Sequence, residues 1–299
     1  MQPNLAENAA LQPIAVCPEH PERASISPCE RCGRFLCDEC LASRSPPRCP
    51  ACDAKVSDPL GVVAQPFTIG GALGNGWKLF TNTLPQLLPI CLVVGVLGGL
   101  LTHALESSSL SRTSSIRLGQ LFDVTIGLFG IGVYLAFLVG KAEGAPRGVG
   151  AALKEGMGAW PRLFSARFRS GLLITLCTLL LVIPGILKAV SLAVVTEAAF
   201  REPQSDGIDN STSLTKGHRW KVFGLFVACY GIVFLSAYLL GVMGGTLMEV
   251  VPGTEAIANI LIDAGERVGK AFASCVALVA FYGLKHSKGQ ELAPLGTAE

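Results

Sequence analysis

Hydrophobic residues are unevenly distributed along this chain: the first 65 residues are mostly polar, and long apolar runs follow from Leu84 onwards. A helix that crosses a membrane needs about 20 apolar residues, because each residue advances it by about 1.5 Å. Four runs approach this length, and a fifth stretch is longer than one crossing needs. We therefore predict an all-α, multi-pass membrane domain built from Leu84–Leu105, Leu118–Gly140, Gly171–Phe200, Trp220–Val242 and Ala271–Leu284.

The longest stretch has a Pro-Gly dipeptide in its middle and could form one kinked helix or two helices. An internal repeat favours two. A small residue, Leu, two variable residues and Gly recur, each time followed by aromatic and basic residues, at 72–80, 152–164 and 213–223. We expect each copy to form a short amphipathic helix on the membrane surface and to precede two crossings. The prediction is six helices in three hairpins, with five helices as the alternative.

The distribution of charge also favours six crossings. With six, the basic segments 141–170 and 201–221 lie on the same side as the N-terminus, and the acidic segment 249–266 lies on the opposite side. With five, the basic segment 201–221 would face outward. Because Lys and Arg are retained on the cytoplasmic side, we expect an inner-membrane protein with both termini in the cytoplasm.

Six crossings require two spanning helices in the middle stretch, but its apolar run before Pro184 is short for one crossing. We expect this helix to begin near Arg162, with Arg167 and Arg169 extending along it to the membrane surface. The turn between the two helices should lie at Pro184-Gly185.

The charge content agrees with lipid as the solvent and excludes one class of partner. Charged residues make up 15% of the chain, below the quarter that is typical of soluble proteins. A formal net charge of +2 is too small to indicate nucleic-acid binding. Residues 1–16 have neither the basic start nor the apolar run of a signal peptide, so we expect the cysteines that follow to stay in a reducing compartment.

Seven of the eleven cysteines and one histidine form four pairs, each with a two-residue gap: Cys17/His20, Cys29/Cys32, Cys37/Cys40 and Cys49/Cys52. Two intervening residues allow both side chains of a turn to reach one metal ion, and Gly33 suits a turn that needs a positive φ. Eight ligands are enough for two tetrahedral Zn²⁺ ions. The segment has too few apolar residues to fold around a hydrophobic core, so metal binding would supply its stability. The remaining cysteines are expected to be small apolar residues of the membrane half: Cys91, Cys177, Cys229 and Cys275.

The order of these pairs resembles the B-box type of zinc finger, in the short form found ahead of membrane segments in bacterial proteins. The resemblance covers residues 17–52 and implies crossed pairing, with one ion held by Cys17, His20, Cys37 and Cys40 and the other by Cys29, Cys32, Cys49 and Cys52. The last pair departs from the histidines that usually end a B-box. A RING-type finger is a rival interpretation, although it would require a different third pair. Four protein ligands per ion leave no open position, which predicts structural rather than catalytic sites.

The membrane half resembles the membrane domain attached to some glycerophosphodiester phosphodiesterases. The residues that carry this resemblance are Phe67-Thr68-Ile69-Gly70, Trp77-Lys78-Leu79-Phe80, Ile183-Pro184-Gly185-Ile186 and Ser213-Leu214-Thr215-Lys216-Gly217-His218-Arg219-Trp220. The catalytic barrel of those enzymes has no counterpart here, so the resemblance implies a fold and no activity.

Polar residues inside apolar segments are candidates for function. Lys188 follows the Pro-Gly dipeptide, and a position at the membrane interface explains it as well as a functional role does. Glu197 is close to Arg201 in sequence, which predicts an ion pair between them. Glycines in 95–99, 127–132 and 241–245 are expected to allow close helix packing. No catalytic triad, phosphate-binding loop or open metal site is recognisable, and we do not expect an enzyme.

These observations divide the chain into five parts: a disordered N-terminus (1–16), a two-zinc finger (17–54), a linker (55–65), an integral membrane domain of three repeats (66–285) and a disordered tail (286–299). The expected function is binding or scaffolding at the lipid bilayer, with a cytoplasmic protein partner for the finger. The alternative is a transporter or channel that the finger regulates.

Overall fold

A computed structural model describes residues 15–41, 47–107, 111–251, 253–290 and 292. The chain forms two compact units, residues 1–59 and 60–299. The segments predicted to be disordered are 1–16 and 286–299, and most of their positions lie outside the described residues.

The first unit is a small module with little regular structure. It contains strands β1 (Ser27–Pro28) and β2 (Phe35–Leu36), which pair antiparallel, and helices α1 (Asp38–Leu41) and α2 (Pro50–Ser57). Its buried apolar side chains are Leu36 and five cysteines, so a hydrophobic core in the usual sense does not form among the described residues. Gly33, in the turn between the strands, has a φ of +71°, which confirms the prediction of a positive φ there.

The second unit begins with a non-helical segment, residues 60–68, and is mostly helical from Ile69 onwards. Its helices are α3 (Ile69–Glu106), α4 (Arg112–Phe122), α5 (Leu128–Ala142), α6 (Val149–Leu180), α7 (Val182–Ser191), α8 (Val195–Arg201), α9 (Gly207–Thr215), α10 (Arg219–Val250) and α11 (Glu255–Ser287), with a π-helical turn at Asp123–Gly127. Within the described residues, six helical segments are long and apolar enough to cross a membrane: Ile69–Leu105, Arg117–Ala142, Val149–Leu180, Val182–Arg201, Arg219–Leu247 and Glu255–Ser287.

The middle stretch contains two helices, as predicted, but the position of the turn was wrong. The chain is extended at Leu181, with φ −160° and ψ 142°, and Pro184 is the third residue of α7. A proline costs little in a first turn, where its missing N–H has no partner within the helix. In an uninterrupted helix its ring would clash with the carbonyl group of Leu180. The break therefore precedes Pro184, and Gly185 packs against Thr178 across the hairpin.

The repeated motif does not form separate surface helices in its first two copies. The copy at 72–80 lies within the continuous helix α3, and the copy at 152–164 lies within α6, which begins at Val149 rather than near Arg162. Only in the third copy does a short helix, α9, end at Thr215 before the next long helix begins. The chain thus stays helical through the first two copies of the motif.

Helices α3 and α11 pack more extensively than any other pair, and glycine makes their approach close. A Cβ atom at Gly99 would lie 2.5 Å from the Cα atom of Ile260, and one at Gly95 would lie 2.6 Å from the Cα atom of Ala264. Side chains larger than hydrogen would separate the two helices at these points. The predicted role in helix packing is confirmed for Gly95 and Gly99, but it was wrong for Gly241 and Gly245, where no described neighbour lies within 4 Å of an added Cβ atom.

Much of the surface of the helical unit is apolar. Leu179, Trp220 and Phe234 are 83%, 83% and 75% exposed, and similar side chains cover the outer faces of α3, α6, α7 and α10. A soluble protein rarely exposes so much contiguous apolar surface. Together with six helices of sufficient length, this surface is that of a membrane protein.

Candidate metal centres

The structure brings four ligand side chains of the first unit together in each of two clusters. Cys17, His20, Cys37 and Cys40 form one cluster, and Cys29, Cys32, Cys49 and Cys52 form the other. Within each cluster the ligand atoms all lie within 4.8 Å of one another. The groups are the crossed ones that the B-box resemblance implies.

Short local turns place each pair of ligands. The backbone N–H of His20 donates to the carbonyl oxygen of Cys17 at 3.1 Å, and that of Cys52 donates to Cys49 at 3.0 Å. The β1–β2 hairpin then reverses the chain, so that Cys37 returns to the cluster that contains Cys17. Two-residue gaps set the pairs, and the hairpin determines which pairs meet.

The distances in the first cluster fit a tetrahedral metal ion. A Zn–S bond of about 2.3 Å gives a tetrahedron with S···S edges of about 3.8 Å and S···N edges of about 3.5 Å. The Sγ atoms of Cys17 and Cys40 are 3.7 Å apart, and Nδ1 of His20 lies 3.3 Å and 3.5 Å from Sγ of Cys37 and Cys40. These four side chains could therefore hold one ion.

The second cluster has the same dimensions and four sulfur ligands. The Sγ atoms of Cys32 and Cys49 are 3.7 Å apart, and the backbone N–H of Cys49 donates to Sγ of Cys29 at 3.3 Å. Such N–H···S contacts stabilise a thiolate. This cluster could also hold one ion, and because all four positions are filled by protein ligands, neither cluster leaves a position for a substrate.

The local environment lowers the pKa of some thiols and raises the pKa of others. The backbone N–H of Cys49 lowers the pKa of Cys29 to about 6. Burial would raise the pKa of Cys17, but backbone hydrogen bonds from Cys37, His20 and Glu19 outweigh it and lower the pKa to about 6. Burial raises the pKa of Cys40 to about 12. Backbone hydrogen bonds therefore favour the thiolate form of Cys17 and Cys29, one residue in each cluster.

No family model, curated protein or solved structure matches this chain. The assignment of the two clusters accordingly rests on the positions and chemistry of their own ligand atoms.

The predicted ion pair between Glu197 and Arg201 was wrong. Arg201 pairs instead with Glu143. Its Nε atom donates to one carboxylate oxygen at 2.7 Å, and its Nη2 atom donates to the other at 3.0 Å. The hydroxyl group of Tyr282 donates to the same carboxylate at 2.6 Å. Glu197 is 5% exposed and faces a cavity between the helices, whereas Lys188 lies on α7 outside that cavity.

A second group of charged residues in the membrane half escaped the sequence analysis. The guanidinium of Arg267 on α11 is 2.7 Å from a carboxylate oxygen of Asp123 and 3.1 Å from one of Asp263. Lys270 lies 3.4 Å from Asp123. The signal in the sequence is the i, i+4 spacing of Asp263 and Arg267, whereas Asp123 comes from a distant part of the chain.

Proposed function

We propose that this chain is a zinc-binding integral membrane protein whose finger captures a protein partner in the cytoplasm, while its helices anchor the complex in the bilayer. It has no catalytic activity of its own in this proposal. One observation carries it: two complete sets of four metal ligands lie in a unit separate from six apolar helices.

Zinc is the metal that fits the ligand chemistry. Thiolate and imidazole ligands in tetrahedral sets favour Zn²⁺ over Mg²⁺ or Ca²⁺, which prefer oxygen. The crossed grouping supports the B-box type of finger, in a form whose second site has four cysteines. Both ions would stabilise the fold of a unit that has little apolar core.

The positions of Lys and Arg support a cytoplasmic finger in the inner membrane of a bacterium. The basic segment 141–170 includes the approach to Val149–Leu180 and the first part of that helix, and the basic segment 201–221 follows Val182–Arg201. An arrangement of three hairpins similar to the phosphodiesterase-associated membrane domain would place both segments on the side of the termini, where positive charge is retained.

The finger presents apolar side chains that its own fold does not use. Ile26 is 68% exposed and Phe35 is 48% exposed. Phe35 lies opposite Pro28 in the antiparallel pair, and Ile26 is two residues before Pro28, so both lie towards the same face of the ribbon. Exposed aromatic and branched side chains are typical anchors of protein interfaces. We propose that this face contacts the partner.

The test is affinity capture with the intact protein in detergent. Phe35→Ala and Ile26→Ser should each lose a partner that the unchanged protein retains, because they remove the proposed anchors, while both keep their full zinc content. Cys177→Ser, a change of a cysteine in α6, is the control and should retain the partner. Capture of the same proteins by all variants, at equal zinc content, would contradict the proposal.

Transport is a second candidate, favoured by the cavity that Glu197 faces. Solute flux in reconstituted vesicles would test it. A transporter should lose flux with Glu197→Ala, and Lys188→Ala, outside the cavity, is the matched control that should retain it. Vesicles without flux for any polar solute, with the protein correctly inserted, would exclude this candidate.

A further inference from the structure

The helical unit contains a cavity of about 460 Å³ that the proposed anchoring function does not require. Its walls come from α5, α8, α10 and α11, with Arg167 contributed by α6. Most lining side chains are apolar, among them Leu128, Val222 and Leu225. The size is within the range of small-molecule sites, which are mainly apolar with a few polar groups that orient the ligand.

Glu197 is the exceptional side chain in this cavity. It is 5% exposed, and among the described residues no other residue donates a hydrogen bond to its carboxylate and no cationic nitrogen lies within 4.0 Å. The charge of Arg167, which lines the same cavity, acts on this carboxylate from more than 4.0 Å away. A buried carboxylate needs a cation or several donors to compensate for lost hydration, and here the open volume lies where that partner would be.

Other buried charges of the helical unit have partners of opposite charge. The pairs in the described residues are Arg201 with Glu143, Arg267 with Asp123 and Asp263, and Lys285 with Glu202. The fold therefore satisfies its buried charges elsewhere. This contrast indicates that the partner of Glu197 comes from outside the chain.

Arg167 provides a complementary group on the same cavity. Its guanidinium donates one long hydrogen bond, 3.4 Å, to the hydroxyl oxygen of Thr196, and no described carboxylate lies within 4.0 Å. A guanidinium has five N–H donors, so most of them remain available to an acceptor. The cavity thus offers an unpaired carboxylate and a largely unused cation on neighbouring helices.

The cavity continues towards the lipid-facing surface. A smaller cavity of about 230 Å³ shares Tyr230, Val233 and Lys270 with it and adds Phe234, which is 75% exposed on the apolar face of α10. Glu266 and Lys270, which are 3.7 Å apart, line the same groove, so a molecule that enters beside Phe234 meets both apolar and charged side chains. The access route favours an amphiphile over a solute from the aqueous phase.

From these observations we propose that the cavity binds the zwitterionic headgroup of a membrane amphiphile. Its ammonium group contacts Glu197, its anionic group accepts hydrogen bonds from Arg167, and its acyl chain extends past Phe234 into the bilayer. Ammonium and phosphate are both present in a phosphoethanolamine headgroup, which is the chemistry that this pair of side chains complements. The inference does not depend on the partner of the finger.

Native mass spectrometry of the full chain in detergent can measure this binding. After removal of copurified lipid, phosphatidylethanolamine and phosphatidylglycerol with the same acyl chains are titrated separately. We expect phosphatidylethanolamine to bind about tenfold or more tightly than phosphatidylglycerol, which lacks the ammonium group. Equal affinity for the two lipids would overturn the proposal.

Variants assign the effect to the cavity. Glu197→Gln removes the charge at nearly constant volume and should abolish the preference for phosphatidylethanolamine, while Glu249→Gln, at an exposed position on α10, should keep it. If Glu197→Gln fails to fold, Arg167→Gln, at a more exposed position, decides the matter by weakening binding of both lipids. Unchanged binding in a folded Glu197→Gln or Arg167→Gln protein would overturn the site.

The source of the zwitterion is tested with water-soluble phosphoethanolamine. At the concentration that saturates the site with lipid, it should not displace phosphatidylethanolamine, because it lacks the chain that occupies the groove beside Phe234. Displacement would overturn the lipid source. Capture of a protein partner by the finger is measured separately, so the two proposals can fail independently.

Discussion

Which cysteine pairs share a metal ion can be tested by removing two ligands at once. Cys17 and Cys37 belong to the same cluster, whereas Cys29 belongs to the other. Cys17→Ser combined with Cys37→Ser should therefore leave one zinc ion per chain, and Cys17→Ser combined with Cys29→Ser should leave none. If the pairs were used in sequence order instead, the two double variants would exchange results.

The ligand sets determine how many sulfur atoms should surround each zinc ion. The two clusters contain seven sulfur ligands and one nitrogen ligand, so X-ray absorption of the intact protein should give an average of three and a half sulfur neighbours per zinc, at about 2.3 Å. The first double variant, which keeps the cluster of four cysteines, should give four sulfur neighbours. Metal content per chain is measured in parallel by mass spectrometry, with Cys177→Ser as the control that keeps two ions. Equal metal loss in both double variants would refute the crossed grouping.

Two further predictions concern the helical unit. Gly99→Ala requires the backbone at Ile260 to retreat by about 1 Å and should lower stability by about 1–2 kcal/mol, after about 1 kcal/mol is regained as helix propensity. Gly245→Ala should be neutral or stabilising, because no described residue of another helix lies within 4 Å of its new Cβ atom. Unfolding in a denaturing detergent measures both, and equal effects would contradict the packing argument. Glu143→Gln removes the carboxylate charge that buried Arg201 meets at 2.7 Å and should lower stability by about 3 kcal/mol in the same assay. An unchanged midpoint would show that the pair contributes nothing.

The features that were predicted correctly from the sequence depend on residues that are close together in the chain. The metal ligands occur in pairs separated by two residues, and this spacing already determines which side chains share a turn. The glycine at position 33 was predicted from the same local geometry. Five apolar stretches followed from the length of the runs, since hydrogen bonding within each helix is local. The sixth helical segment was inferred from the repeat and the charge distribution.

The ends of helices were harder to predict because two local effects compete. The Pro184-Gly185 dipeptide was taken as the turn, since both residues disfavour the interior of a helix. In the structure Pro184 occupies the first turn of α7, where it is tolerated, and the chain breaks earlier, at Leu181. The steric effect of a proline acts on the residues before it, so the break and its cause lie at different positions.

Contacts between distant parts of the chain could not be predicted from spacing. Glu197 and Arg201 are four residues apart, which suggested a pair, yet the carboxylate that meets Arg201 comes from Glu143 on another helix. Tyr282, still further along the chain, completes the same group. Once Arg201 is satisfied in this way, Glu197 is left facing the cavity with no described partner, and its role as a binding group follows from packing rather than from its sequence neighbours.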